Sequence, residues 1–391
     1  MLEHTLAHYG YTFAALFTSE GLARWDADFI TTLPSALATQ LHTYREGAVL
    51  APLAESEFLL QLAPLVETYI AARFGLQAAL EVARLATLRE ATVLQFKEAV
   101  VLGRARRYRG SLPEAAELTA WFAAQFPPSC ADPECALAQQ AQVWLADATT
   151  YAATIERLVQ WSAYALQNPQ QAGVQTWVSF HLPERLDYAQ LVPLRAVPED
   201  PWGRQEGEVA EFRRRDGFSL TDPRMNARAV QSEIHYCKYC HDHEGDFCAK
   251  GFPEKKGVPE LGLKVNPLGE RLTGCPLEER ISEMHLLKRE GQTLAALAMA
   301  MADNPMLPAT GHRVCNDCMK ACIYQKQVPV NIPQVETRIL TDVLALPYGV
   351  EVYDLLTRWN PLRRRQYRMQ AYTGHKVLIA GQGPAGFTLA H

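Results

Sequence analysis

The chain has 391 residues, 48% of them hydrophobic and 21% charged, with a formal net charge of −5. That length and apolar share exclude a disordered, collagen-like or disulfide-scaffold chain and leave room for two or three domains. No apolar run reaches the ~18 residues of a membrane helix, no signal-peptide pattern opens the chain, and its slight acidity argues against a nucleic-acid surface. The expectation is a cytoplasmic globular protein with no membrane span.

Residues 1–200 read as a helical domain. Glu57 to Gly75 is apolar with charges near its ends, and Leu76 to Arg107 alternates Leu, Ala and Val with Glu and Arg at helical spacing. Ser111-Leu-Pro-Glu-Ala offers a serine cap, an early proline and an acid, which predict a helix start. Ile155, Leu158, Val159 and Leu166 fall on one stripe at helical steps. No fixed-period repeat marks a solenoid. This half reads as a packing scaffold, with a docking surface for a partner subunit as the functional alternative. Cys130 and Cys135, spaced C-x4-C with no further partner nearby, read as ordinary thiols. From about Asn168 to Arg228, Pro, Gly, Gln and charged residues dominate, as in Pro198-Glu-Asp-Pro-Trp-Gly. This predicts short strands or turns, with 201–230 as a linker and Arg213, Arg214 and Arg215 on a solvated face.

Residue usage then changes. Of ten lysines only Lys97 precedes residue 230, and seven of the nine cysteines lie between Cys237 and Cys322. They run Cys237-x2-Cys240-x7-Cys248, then Cys275-Pro276, then Cys315-x2-Cys318-x3-Cys322. A CxxC pair puts two thiolates within reach of one metal or cluster. Disulfides suit neither an odd number nor a chain without a secretion signal. Zinc is open, because paired CxxC units build zinc sites and His235, His241, His243 and His312 stand beside them. Iron–sulfur clusters fit better. Seven cysteines overfill one tetrahedral site and fall one ligand short of two four-ligand clusters, and a cysteine before proline ligates the other cluster in two-cluster ferredoxins. Lys238, Arg313 and Lys320, with the neighbouring histidines, are expected to supply positive charge and hydrogen bonds to such anionic groups.

The order of motifs from Cys237 to about Asp342 resembles the helical two-cluster domain of the glutamate synthase small subunit, which also opens dihydropyrimidine dehydrogenase. The residues are Cys275-Pro-Leu-Glu-Glu-Arg-Ile, Leu286-Leu-Lys-Arg-Glu-Gly291, Asp303-Asn-Pro-Met-Leu-Pro308 and Gly311-His-Arg-Val-Cys315. The gaps Cys240-x7-Cys248 and Cys248-x26-Cys275 are longer than that pattern, with Ala249 to Gly274 expected as a surface loop. The resemblance implies two [4Fe-4S] clusters in a domain over 231–345. One would be held by Cys237, Cys240, Cys248 and Cys322. The other would be held by Cys275, Cys315, Cys318 and Glu336, a carboxylate within Val330-Asn-Ile-Pro-Gln-Val-Glu-Thr-Arg-Ile339.

After a basic linker over 346–374, including Arg363-Arg-Arg-Gln-Tyr-Arg368, comes His375-Lys-Val-Leu-Ile-Ala-Gly381-Gln-Gly383-Pro-Ala-Gly386. GxGxxG after an apolar strand and before a helix is the dinucleotide-binding context: Gly381 for the turn, Gly383 for pyrophosphate approach, Gly386 for close packing. The resemblance implies the start of a Rossmann-type FAD domain over 375–391, with NAD(P)H as electron donor in a longer flavoenzyme. The expected fold is therefore mainly α: a helical domain, a helical ferredoxin-like domain and a truncated Rossmann start. The expected function is single-electron relay between flavin and another redox centre, with the remaining flavoprotein portion or a redox subunit as partner. The alternative is a zinc-stabilised interaction module.

Overall fold

A computed structural model describes the chain except residues 1, 127–128, 208, 210–216, 219–223, 244, 312–313, 367–372 and 391. Arg213, Arg214, Arg215, His312, Arg313 and Arg368 thus lie outside the described residues.

The chain opens with α1 (Leu2–His8), α2 (Ser19–Thr31), α3 (Ser35–Arg45), α4 (Pro52–Phe74) and α5 (Gln77–Phe96). The Thr18 hydroxyl caps α2 by accepting from the Gly21 N–H at 3.0 Å. Pro52 begins α4, where its missing N–H costs nothing, and Gly75 ends it at φ 69°, a left-handed conformation that favours glycine. Between them Phe58, Leu59, Leu62, Val66, Ile70 and Phe74 are buried, so α4 is a central helix. α5 runs into a π turn over Lys97–Leu102 and a 3-10 turn over Ala105–Arg107. Then follow α6 (Ala115–Gln125), α7 (Pro133–Ala146) and α8 (Ala152–Gln167). Ser111 caps nothing: Glu114 precedes the first helical residue in an extended conformation, and Pro113 disfavours helical backbone at Leu112.

Strands β1 (Leu194–Ala196) and β2 (Gln205–Gly207) pair antiparallel with Arg195 opposite Glu206. Beyond them lie α9 (Ala227–Tyr236), α10 (Phe247–Lys250), α11 (Ile281–Arg289), α12 (Thr293–Asp303), α13 (Leu307–Thr310) and α14 (Asp317–Ala321). The last are α15 (Ile332–Leu344), α16 (Gly349–Arg358) and α17 (Pro384–Ala390). The fold is mainly α, and no helix among the described residues is long and apolar enough to cross a membrane.

Two apolar cores divide the chain otherwise than the compositional blocks. The first draws on α1–α4 and equally on α9, α11, α12, α15 and α16, with Cys248, Cys318 and Cys322 among its residues. The second gathers Val93 to Phe180, including Ile155, Leu158 and Val159 of the expected stripe, and it holds Cys135.

The expected Rossmann start is corrected. Residues 375–383 form no strand, and Val377 and Leu378 are 83% and 93% exposed. A parallel strand needs neighbours for its backbone groups, and the described residues offer none beside this segment. Gly381, at φ 116°, and Gly383 lie exposed ahead of α17, and Gly386 is half-buried within that helix, which buries no residue.

Candidate functional site

Four of the predicted cysteines gather at one place. Cys237 ends α9, Cys240 opens a 3-10 turn, Cys248 sits in α10 and Cys322 follows α14. They line a small cavity of ≈ 10 Å³ with Lys238, Ser282 and His285, walled by Ile281, Ile323, Val330 and Ile332. Tyr239, at φ 48°, turns the chain between the first two cysteines, and its N–H donates to Cys237 Sγ at 3.4 Å. Cys322 likewise receives hydrogen bonds from backbone groups at Tyr324, Val330 and Ile323. Burial pushes the Cys237 thiol up to about 12 and Cys240 up to about 11, and drives Cys248 well up. The mutual influence of Cys237, Cys240, Cys248 and Cys322 adds to this. Without a cation these are neutral thiols.

Cys275, Cys315, Cys318 and Glu336 form a second gathering. Cys275 lies ahead of α11, Cys315 and Cys318 flank the start of α14, and Glu336 projects from α15. Cys318 is pushed well up by burial and then by the charges of Glu336, Cys275 and Glu279. Backbone N–H groups at Glu279 and Leu277 donate to the Cys275 sulfur, and one at Asp317 donates to Cys315. Glu336, 7% exposed, is raised well above the usual carboxylate range by burial and by Glu279 beside it. Glu279 is 2% exposed, and its Oε2 has no hydrogen-bond partner. The two gatherings touch through the backbone: the Cys275 N–H donates to the Cys248 carbonyl at 2.8 Å.

Sequence reasoning missed Glu279 and His285. Glu279 stood in the quoted Cys275-Pro motif, four residues from a ligand candidate. His285 stands ten residues beyond Cys275, with no local signal. It is fully buried, neither ring nitrogen has a partner, and burial lowers its pKa to about 3. The described histidines that adjoin cysteines have other neighbours or face solvent. His235 meets Glu98 at 3.3 Å and His241 meets Asp242 at 3.0 Å, while His243 is exposed. Lys320 pairs with Asp317 and Glu270 at 3.4 and 3.5 Å, and of the two expected cations among the described residues Lys238 is the one in the cavity wall. All nine cysteines are free thiols. A wider cleft beside α2 is lined by Arg45, Arg358 and Arg364, each already facing an acid: Asp26, Asp354 and Glu55.

Residues 6–75 match the family model described as the RP005 N-terminal alpha-helical domain. That segment spans most of α1 to α4, the helices that share a core with the cysteine block. Two curated relatives come from Rickettsia prowazekii (strain Madrid E). The chain is 58% identical over 86 residues to "Uncharacterized protein RP006", covering 22% of this chain and 12% of that protein. It is 27% identical over 165 residues to "Uncharacterized protein RP005", covering 39% of this chain and 52% of that protein. No solved structure matches.

These findings correct the expected kinship. The relatives are RP005- and RP006-type proteins, and no ferredoxin or oxidoreductase family is among the matches to carry the resemblance to the glutamate synthase small subunit. They bring no iron–sulfur, FAD or Rossmann character with them. Among the described residues, no three or more His, Cys, Asp or Glu side chains are set to hold a single metal ion.

Proposed function

We propose that the two gatherings each hold a [4Fe-4S] cluster and that the chain relays single electrons as part of a larger oxidoreductase. The observation that carries this reading is the convergence of four thiols: Cys237, Cys240, Cys248 and Cys322 line one small cavity, with backbone N–H groups directed at the sulfurs of Cys237 and Cys322. A single Zn²⁺ would draw four sulfurs to ~2.3 Å from one point. Four thiols that line one small cavity without any three being set around a single ion suit a polynuclear group better, and the unpartnered His285 ring in the wall fits a guest with acceptor atoms. The second group would be held by Cys275, Cys315, Cys318 and the carboxylate of Glu336.

When bound, such clusters accept and release one electron with little rearrangement, at potentials set by net charge, hydrogen bonds and exposure. The chain's own residues do the rest. Seven thiols and one carboxyl give up their protons on ligation. The isoleucine and valine wall excludes water, and the N–H donors at Tyr239, Tyr324 and Val330 offset charge on the sulfurs. The hydrogen bond from Cys275 to Cys248 gives the two groups a short through-bond link. A second redox centre on another portion or subunit is the partner this reading calls for.

Anaerobic reconstitution tests it. The full chain should turn brown, absorb broadly near ~400 nm and bind about eight iron and eight sulfide. Colourless protein with stoichiometric zinc would instead make the cysteine block a structural zinc module.

A further inference from the structure

His285 sits in the first turns of α11 and reaches the four-thiol cavity together with Ser282, one helical step before it. Both are 0% exposed. Neither ring nitrogen of His285 has a hydrogen-bond partner, nor does the Ser282 hydroxyl. Buried polar side-chain atoms nearly always have a partner, because an unpaired one costs about 1–3 kcal/mol. Here three unpaired polar atoms belong to two residues that line one thiol-walled cavity, on a helix whose neighbouring Ile281 closes it with apolar surface. A neutral imidazole carries one N–H, and a serine hydroxyl carries one O–H. Both can donate, and the thiols opposite become acceptors once they are ligated and deprotonated.

We infer that His285 is a positioning residue whose ring N–H, seconded by the Ser282 hydroxyl, donates a hydrogen bond to the group held by Cys237, Cys240, Cys248 and Cys322, and so raises that group's affinity for an electron. The inference rests on the cluster reading above and adds to it what sets the potential of one cluster and leaves the other alone. The sign follows from charge: reduction adds a negative charge to the group, and a donor beside it stabilises the reduced form more than the oxidised one. Glu279 and Glu336 line the second gathering instead, so the two groups would differ in potential by construction.

The test uses the full chain, reconstituted anaerobically with iron and sulfide, with His285→Leu, His285→Gln and Ser282→Ala beside the wild type. At unchanged iron content, His285→Leu should weaken reduction of one cluster at least tenfold, which is about 59 mV for one electron. His285→Gln, which keeps an N–H, should restore most of that shift, and the other cluster should stay where it was. Ser282→Ala should move the same cluster in the same direction by less. A wild-type reduced sample with ¹⁵N-labelled histidine should show a ring-nitrogen hyperfine coupling that is absent from His285→Gln. This arm does not depend on the leucine variant loading. In the metal-free chain, His285→Leu should hold or raise the Tm, because it removes an unpaired buried group. Unmoved potentials in loaded His285→Leu, no histidine coupling in the wild type, or a lower metal-free Tm would each overturn the role. A wild type that takes up no iron overturns the cluster reading and the inference together, whereas loaded clusters insensitive to residue 285 overturn the inference alone.

Discussion

At Glu336 and Glu279 two carboxyl groups share one buried space, and burial pushes both above the usual carboxylate range. Two acids so placed cannot both ionise in a low dielectric unless a cation joins them. Their roles separate by direction. Glu336 exerts the strongest charge effect on Cys318, and Glu279 has the Asn304 amide as a hydrogen-bond partner. Glu336→Ala should therefore cost the second group selectively, taking bound iron from about eight to about four per chain. Glu279→Gln keeps a hydrogen-bonding neighbour for Glu336 and should retain full iron content. Metal analysis of the two variants side by side checks this, and iron loss in Glu279→Gln with retention in Glu336→Ala would exchange the roles. The cysteines stood out because their spacing is written along the chain, whereas Glu336 was singled out only through the resemblance. His285 was not singled out at all. What makes it notable is the lack of any partner after α11 packs, and that is a property of the assembled interior. Two of the histidines next to cysteines misled for the converse reason: His235 meets Glu98 and His241 meets Asp242.

Among the elements, α9 joins the two cores and carries the first ligand candidate at its end. Arg228 in its first turn bonds Glu90 of α5 at 2.5 Å, Asp132 at 2.9 and 2.5 Å, and Glu134 of α7 at 3.0 Å. Its side chain is 18% exposed, so removing it strands three acids in a partly desolvated place. Arg228→Ala should cost about 2–3 kcal/mol of stability, read as a lower Tm or urea midpoint, with Cys237 loosened from its cavity. The pairing also sets a pH dependence. The Arg228 guanidinium holds the Asp132 carboxyl below its ordinary value of 3.8. A depressed folded-state value contributes stability above the unfolded value and loses it as pH falls through the folded one. The difference in Tm between wild type and Arg228→Ala should thus be full near neutrality and narrow below about pH 3.8. A constant gap down to pH 2 would mean that packing, and not charge, supports the helix. Helical periodicity made α8 readable in the sequence, and a long apolar run with charges near its ends did the same for α4. The four-residue apolar strand expected just ahead of Gly381 was misread, because an apolar run becomes a strand only when another strand accepts its hydrogen bonds.

Across the whole molecule, the compositional break near residue 230 suggested an autonomous cysteine block, yet the first core belongs to both sides of it. Composition records which residues a segment uses and not which faces meet. α12 is buried on every side from Thr293 to Met301, so it cannot fold against the cysteine segment alone. α4 covers it and supplies its start: Glu67 Oε2 accepts from the Leu294 and Ala295 N–H groups at 2.7 and 3.0 Å. Ser56 of the same helix donates to Glu283 at 2.5 Å, and Glu55 receives Arg280 at 2.9 Å. The residues matching the RP005 N-terminal family model thus hold α11 and α12, the helices behind the cysteine cavity. A fragment of residues 226–366 should consequently lose cooperative unfolding and bind the dye ANS. Added or co-expressed residues 1–225 should restore a sharp thermal transition. Glu67→Ala in the full chain is the milder form of the same cut and should cost about 1 kcal/mol. A soluble, cooperatively unfolding 226–366 fragment would mean that the cysteine block folds without the N-terminal helices.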